Sequence, residues 1–191
     1  MSSTDIDMSS NALLLIGDEP ISSFTEPGAG ATAAANLYPE TYKSVLAEHP
    51  WSFALKHQKL NKLSQTPDPL TNFQYAYQLP TDLIRLWAIM PYNNYTIIGD
   101  VLLTNIGSGL LARYVYEVSE VKLPSQVVTA IEYKLASKFA ISVTEDENKA
   151  VLYQQMYEKQ IAQARGIDSQ QRPPEPIIDQ PFTDVRFSGS L

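Results

Sequence analysis

The chain has 191 residues, enough for one domain or for one domain with long appendages. Apolar side chains make up 44% of it, ample for a core, and 14 Lys and Arg against 21 Asp and Glu leave a net charge of −7 with no cation before Lys43, so the clustered basic residues that nucleic-acid affinity requires are missing. The lack of cysteine excludes disulfides, thiolate catalysis and thiolate metal sites, no apolar run approaches a membrane span, and Met1-Ser2-Ser3-Thr4-Asp5 has neither the basic nor the apolar region of a secretory signal.

Residues 1–9 are polar and read as a flexible N-terminus. Asn11 to Ile16 predicts a short apolar helix over about 10–17, with Gly17 as its C-cap and Pro20 as a stop. Ser22 to Gly30 is a loop. Over 31–48, Ala34, Leu37, Tyr38, Tyr42, Val45 and Leu46 recur at three- and four-residue spacing, which predicts a helix. Pro39 either kinks this helix or divides it. Pro50 has no N–H and pushes His49 out of the helical region, so the helix stops there. Trp51, Phe53 and Leu55 then fall on one face of an extended segment. His49, Pro50, Trp51 and Phe53 are therefore a structural corner between helix and strand.

The stretch 51–119 reads as β-rich. Phe73, Tyr75, Tyr77 and Leu79 alternate with polar neighbours or Ala76, as in a half-buried strand. Leu83 to Met90 is apolar except for Arg85, and periodicity leaves open whether it is a strand or a helical turn. Gly99-Asp100 between Tyr95–Ile98 and Val101–Thr104 is a two-residue hairpin signal. Leu111 to Val118 alternates as a further strand. A helix over 124–143 carries Val127, Val128, Ile131, Leu135 and Phe139 as its stripe, with alanines that allow close approach of a neighbour. After Thr144-Glu145-Asp146-Glu147, an N-cap and acidic first turn, a last helix spans 146–165 and ends at Gly166.

Residues 10–167 thus form the folded unit. The segment 168–191 is a Pro-rich arm, with Pro173, Pro174, Pro176 and Pro181 among polar residues. Ile177, Ile178, Phe182, Val185 and Phe187 are too many apolar residues for a linker. They mark a candidate interface arm docking on a neighbouring subunit, the alternative being a tail folded back over its own domain.

Few residues carry chemistry. His49 and His57 are the only histidines, so a multi-histidine metal site within one chain is not available. His49 is expected to end the helix near its last carbonyls, and His57 to face solvent among Lys56, Gln58 and Lys59. Gly28-Ala29-Gly30 and Gly107-Ser108-Gly109 are too short for a phosphate cradle and read as turns. No catalytic, cofactor-binding or metal residue is assigned, and no cofactor is expected. The chain reads as α+β: a helical bundle joined to a small antiparallel β-rich part, with an extended C-terminal arm.

Taken in order, Asn11 to Ile21 with its Ile16-Gly17-Asp18-Glu19-Pro20 ending, the corner His49-Pro50-Trp51-Ser52-Phe53-Ala54, Tyr75 to Asp82, Gly99 to Asn105 and the late helical pair resemble tail tubular protein A, the head-to-tail adaptor family of short-tailed bacteriophages. The resemblance covers roughly Asn11 to Arg165. It implies a structural virion protein forming a ring, typically of about twelve copies, with its helical bundle facing the portal. It also implies contacts with a tail nozzle of the tubular protein B type and with tail fibres or tailspikes. The ring lines the channel for passing genomic DNA without sequence-specific binding, and involves no membrane.

Two other function classes stand beside it. A tail-associated peptidoglycan hydrolase would use Glu145 and Glu147, or Glu48, as its carboxylates. A sugar- or fibre-binding module would use Tyr75, Tyr77, Trp87, Tyr114 and Tyr116 as a stacking platform, with Trp51 a further aromatic reporter.

Overall fold

The computed structural model describes residues 4–171. Among them are four α-helices and seven β-strands in the order α1 (Asp5–Ile16), α2 (Ala29–Ala47), β1 (Leu55–Lys59), β2 (Asn61–Lys62), β3 (Tyr75–Gln78), β4 (Leu83–Met90), β5 (Tyr95–Ile98), β6 (Val101–Thr104), β7 (Leu111–Tyr116), α3 (Ser125–Ser142) and α4 (Glu147–Gln170). The fold class is α+β, with helices at both ends of the chain enclosing an antiparallel β part.

The first helix starts at Asp5, so residues 4–9 are not the flexible segment that their polarity suggests. Thr4 Oγ1 accepts from the Asp7 N–H at 3.2 Å, and the Asp7 carboxylate accepts from the Thr4 N–H at 2.9 Å. This is a capping box with Asp where Glu or Gln is usual, and it lets Met8 and Ser9 be fully buried. Gly17 closes the helix at φ 86°, its N–H bonded to the carbonyls of Leu13 and Leu14. Helix α2 is continuous through Pro39. Pro39 and Ala35, whose carbonyl loses its helical donor to the proline, are both exposed, so the broken bond lies on the solvent side.

The strands form two antiparallel sheets, β1-β7-β4 and β2-β3-β6-β5. Gly99 at φ 62° makes the expected hairpin, with Ile98 opposite Val101. Leu83 to Met90 is strand β4, with two register shifts along its pairing to β7. Leu60, Tyr77, Leu79, Leu102, Leu110 and Tyr114 are buried between the sheets. A second, larger core lies within the helical part. It includes Leu13 of α1, Leu46 of α2, Phe139 of α3 and Ile161 of α4, and it extends to Val115 on β7 and to Trp51.

Helix α4 runs through Gly166 to Gln170 instead of ending near 165. Tyr157, Ile161, Ala164 and Asp168 are buried along one stripe, and docking of this stripe outweighs the cost of an internal glycine, about 1 kcal/mol. The folded unit therefore includes Asp168 and the two residues after it, and an arm cannot begin at 168. Ile177, Ile178, Phe182, Val185 and Phe187 lie outside the described residues.

Candidate functional site

The corner between α2 and β1 is the most elaborately braced part of the molecule. The chain does not become extended at Trp51. Residues Ser52–Ala54 form a 3₁₀ turn and strand β1 begins only at Leu55. The turn is closed by the Ala54 N–H donating to Trp51 O at 3.0 Å, and the Trp51 N–H donates to His49 O at 2.9 Å. Trp51 and Phe53 still share a face, because their rings stack with centroids 5.7 Å apart. His49 meets the Trp51 ring edge-on at 4.8 Å. Trp51 is fully buried, and its Nε1 donates to Val45 O at 3.2 Å. The last turn of α2 is thus capped by the Trp51 indole, a role that the sequence suggests for His49.

Two carboxylates fasten this corner to the late helices. Glu48 Oε1 accepts from Lys134 Nζ at 2.7 Å and from Tyr157 OH at 2.6 Å, while Glu48 Oε2 accepts from Arg165 Nη2 at 2.6 Å. Lys134 Nζ also reaches Ser44 Oγ at 2.9 Å and lies 4.8 Å from the centre of the Tyr157 ring. Burial opposes ionisation of Glu48, but the hydrogen bonds from Lys134 and Tyr157 and the charges of Lys134 and Arg165 outweigh it and hold the carboxyl below its ordinary value. Burial and the neighbouring Glu48 carboxylate push the Tyr157 phenol well above its usual range. Further along α4, the buried Asp168 accepts from the Ser52 N–H at 2.9 Å and from Ser52 Oγ at 2.5 Å, and its other oxygen is 3.4 Å from His49 Nε2. The corner is therefore clamped from one side by α3 and from two levels of α4.

The structure brings His49, Pro50, Trp51 and Phe53 together as one packed unit. It adds Lys134, Tyr157, Arg165 and Asp168, none of which the sequence identifies as belonging to the corner, and it gives the neighbouring Glu48 and Ser52 their partners there. One signal was present. Asp168 continues the four-, three- and four-residue spacing of Tyr157, Ile161 and Ala164, and a carboxylate on a buried stripe requires donors.

The other candidates are scattered. Asp146 caps α4, its Oδ1 accepting from the Lys149 N–H at 3.0 Å, and Glu145 and Glu147 on either side are exposed. Glu48 is held by three donors and so is committed as an acceptor. Tyr77 and Tyr114 are buried between the sheets, whereas Trp87 is 43% exposed with the Arg85 guanidinium 5.4 Å from its ring centre. The tyrosines and Trp87 thus do not share one stacking surface. The Tyr114 hydroxyl donates to Asp82 at 3.0 Å; burial and that carboxylate raise its pKa to about 12. His57 is exposed on β1, as expected. Among the described residues no group of His, Cys, Asp and Glu is arranged to hold a metal ion.

A groove of about 550 Å³ runs between α2 and the start of β4. Its rim carries Glu40, Asp82 and Glu117 with Lys43, and Lys43 pairs with Glu117 at 3.1 Å. Ser44, whose hydroxyl accepts from Lys134 Nζ at 2.9 Å, also lines it. The chain matches no protein-family model and no curated protein.

Proposed function

We propose that this protein is a structural adaptor of a short-tailed bacteriophage virion, a ring subunit that joins the portal to the tail nozzle around the DNA channel. The observation that carries the reading is the braced corner. A helical part and a two-sheet β part meet at the buried Trp51, the helical core reaches Val115 on β7, Asp168 of α4 holds Ser52 just before β1, and Glu48 locks the end of α2 to α3 and α4. A subunit that transmits position from one partner to another needs a fixed angle between its two contacting parts. The corner is also one of the segments that carry the resemblance to the tail tubular protein A family, lying in sequence between Ile16-Gly17-Asp18-Glu19-Pro20 and the tyrosine-bearing strands.

Other features agree with this role. A closed ring requires heterologous contacts that repeat by rotation, and exposed apolar side chains are available on both parts, among them Leu14, Ile141 and Val151 on the helices and Ile97 and Ile98 on the sheets. A net charge of −7 gives passing DNA little to bind. Among the described residues no helix is long and apolar enough to cross a membrane. The partners are further copies of the chain, the portal, the nozzle and peripheral fibres or tailspikes. The place of action is the head–tail junction, and no catalytic step is assigned.

Sedimentation and electron microscopy of the full chain with its portal test the reading. Rings that co-sediment with the portal are expected. Clearing of peptidoglycan that disappears on Glu145→Gln or Glu147→Gln would favour the hydrolase instead.

A further inference from the structure

The two sheets have four edges, and three of them are guarded. Strand β1 carries exposed Lys56, His57, Gln58 and Lys59, and β2 is only two residues long, one of them Lys62. Strand β4 bears exposed Arg85 and two register shifts. Charge, shortness and irregularity are the usual means of stopping a sheet edge from pairing with another chain. Strand β5 has none of these. Its sequence, Tyr95-Thr96-Ile97-Ile98, contains no charge and no proline, its register with β6 is unbroken, and Tyr95, Ile97 and Ile98 are 38%, 42% and 56% exposed. Among the described residues no strand pairs with its outer side. A regular, uncharged, apolar edge is a template for strand addition.

We propose that the outer edge of β5 takes as an added strand the segment Asp184-Val185-Arg186-Phe187-Ser188 of a second copy of this chain. The proposal rests on the self-assembling reading above and names the surface that its arm engages. Val185 and Phe187 alternate with Asp184, Arg186 and Ser188, a period-two pattern of about the length of β5. Twelve residues separate Gln171, the last described, from Asp184. Extended, they span about 40 Å, close to the diameter of a folded unit of this size, roughly 40 Å. Four prolines between Arg172 and Phe182 favour that extension over a return to the same subunit. Main-chain hydrogen bonds would supply affinity, and Val185 and Phe187 beside Tyr95 and Ile97 would supply selectivity. The contact pairs two different surfaces, so passed from copy to copy it generates a ring when the rotation closes.

The absence of cysteine makes the test direct. One preparation carries Ile98→Cys. A second, size-tagged preparation carries a single cysteine at each position from 184 to 188 in turn. Both are assembled together and treated with a short bifunctional thiol reagent. Crosslinked pairs of one tagged and one untagged chain are expected at alternate positions, and a chain ending at Gln171 is expected to self-associate at least about tenfold more weakly with an unchanged circular dichroism spectrum. Particles that form without such crosslinks, crosslinking of Ile98→Cys to itself, or crosslinking within one chain when a third preparation carries both Ile98→Cys and a cysteine between 184 and 188, would each overturn strand addition while leaving the ring reading intact. Failure of the full chain to self-associate at all would overturn both.

Discussion

Glu48 is the residue on which the corner depends most. It joins Lys134 and Arg165, both in helices that lie far away in the chain. Removing its carboxylate leaves two cations without their shared partner, so Glu48→Ala is expected to lower stability by about 2–3 kcal/mol in urea unfolding. The pH dependence has a definite sign. The Glu48 carboxyl is below its ordinary 4.5 in the folded chain, so the unfolded chain binds the proton more readily. The contribution is complete above that value and is lost as pH falls through the lower folded value. Asp82, held low mainly by the Lys56 hydrogen bond, acts in the same direction. Glu132 acts in the opposite one: burial raises its pKa against the hydrogen bond from Asn11, so its contribution is present at acid pH and lost as pH rises. Unfolding midpoints measured at several pH values should therefore show a flatter acid limb for Glu48→Gln. They should show a gain at neutral pH for Glu132→Gln, which keeps an acceptor for Asn11. A loss at neutral pH for Glu132→Gln would refute the assignment.

At the scale of elements, the apolar stripes and turn residues of α2, α3, the β5–β6 hairpin and β7 were legible because each is written within a few neighbouring residues. The ends were less so. Helix α1 begins at Asp5 because Asp7 completes a capping box with Thr4, a weaker signal than Glu or Gln. Helix α4 outlasts Gly166 because Asp168 finds Ser52 in a remote turn, and a contact of that kind leaves little local trace. The Trp51–Phe53 pairing was visible as spacing, but spacing alone did not show that Trp51 precedes a 3₁₀ turn and that β1 starts only at Leu55. Thr4→Ala should cost about 1 kcal/mol. Gly17→Ala should cost about 1–2 kcal/mol, because the position needs φ 86° although space for a methyl exists beside it. Trp51→Ala should cost about 4 kcal/mol by emptying the joint between the two parts. A thermal melt in which Trp51→Ala equals wild type would remove Trp51 from its structural role.

For the whole molecule, the α+β organisation followed from the order of helical and alternating segments. The joint could be anticipated at His49-Pro50-Trp51-Ser52-Phe53, but its fastening to α3 and α4 could not, since Glu48, Lys134, Arg165 and Asp168 meet only once the helices have packed. The proposed assembly depends on surfaces that a single folded chain leaves open, of which the β5 edge is the least protected. Shortening the chain at Gln171 should leave the melting transition nearly unchanged while weakening assembly, because the folded unit is complete by that residue. The central proposal is that this subunit closes into a ring that seats on a portal. Electron micrographs of the full chain mixed with its portal test it most directly. Closed rings of one rotational symmetry, stacked coaxially on the portal, are the predicted result. A chain that stays monomeric at every concentration and leaves the portal bare would contradict it.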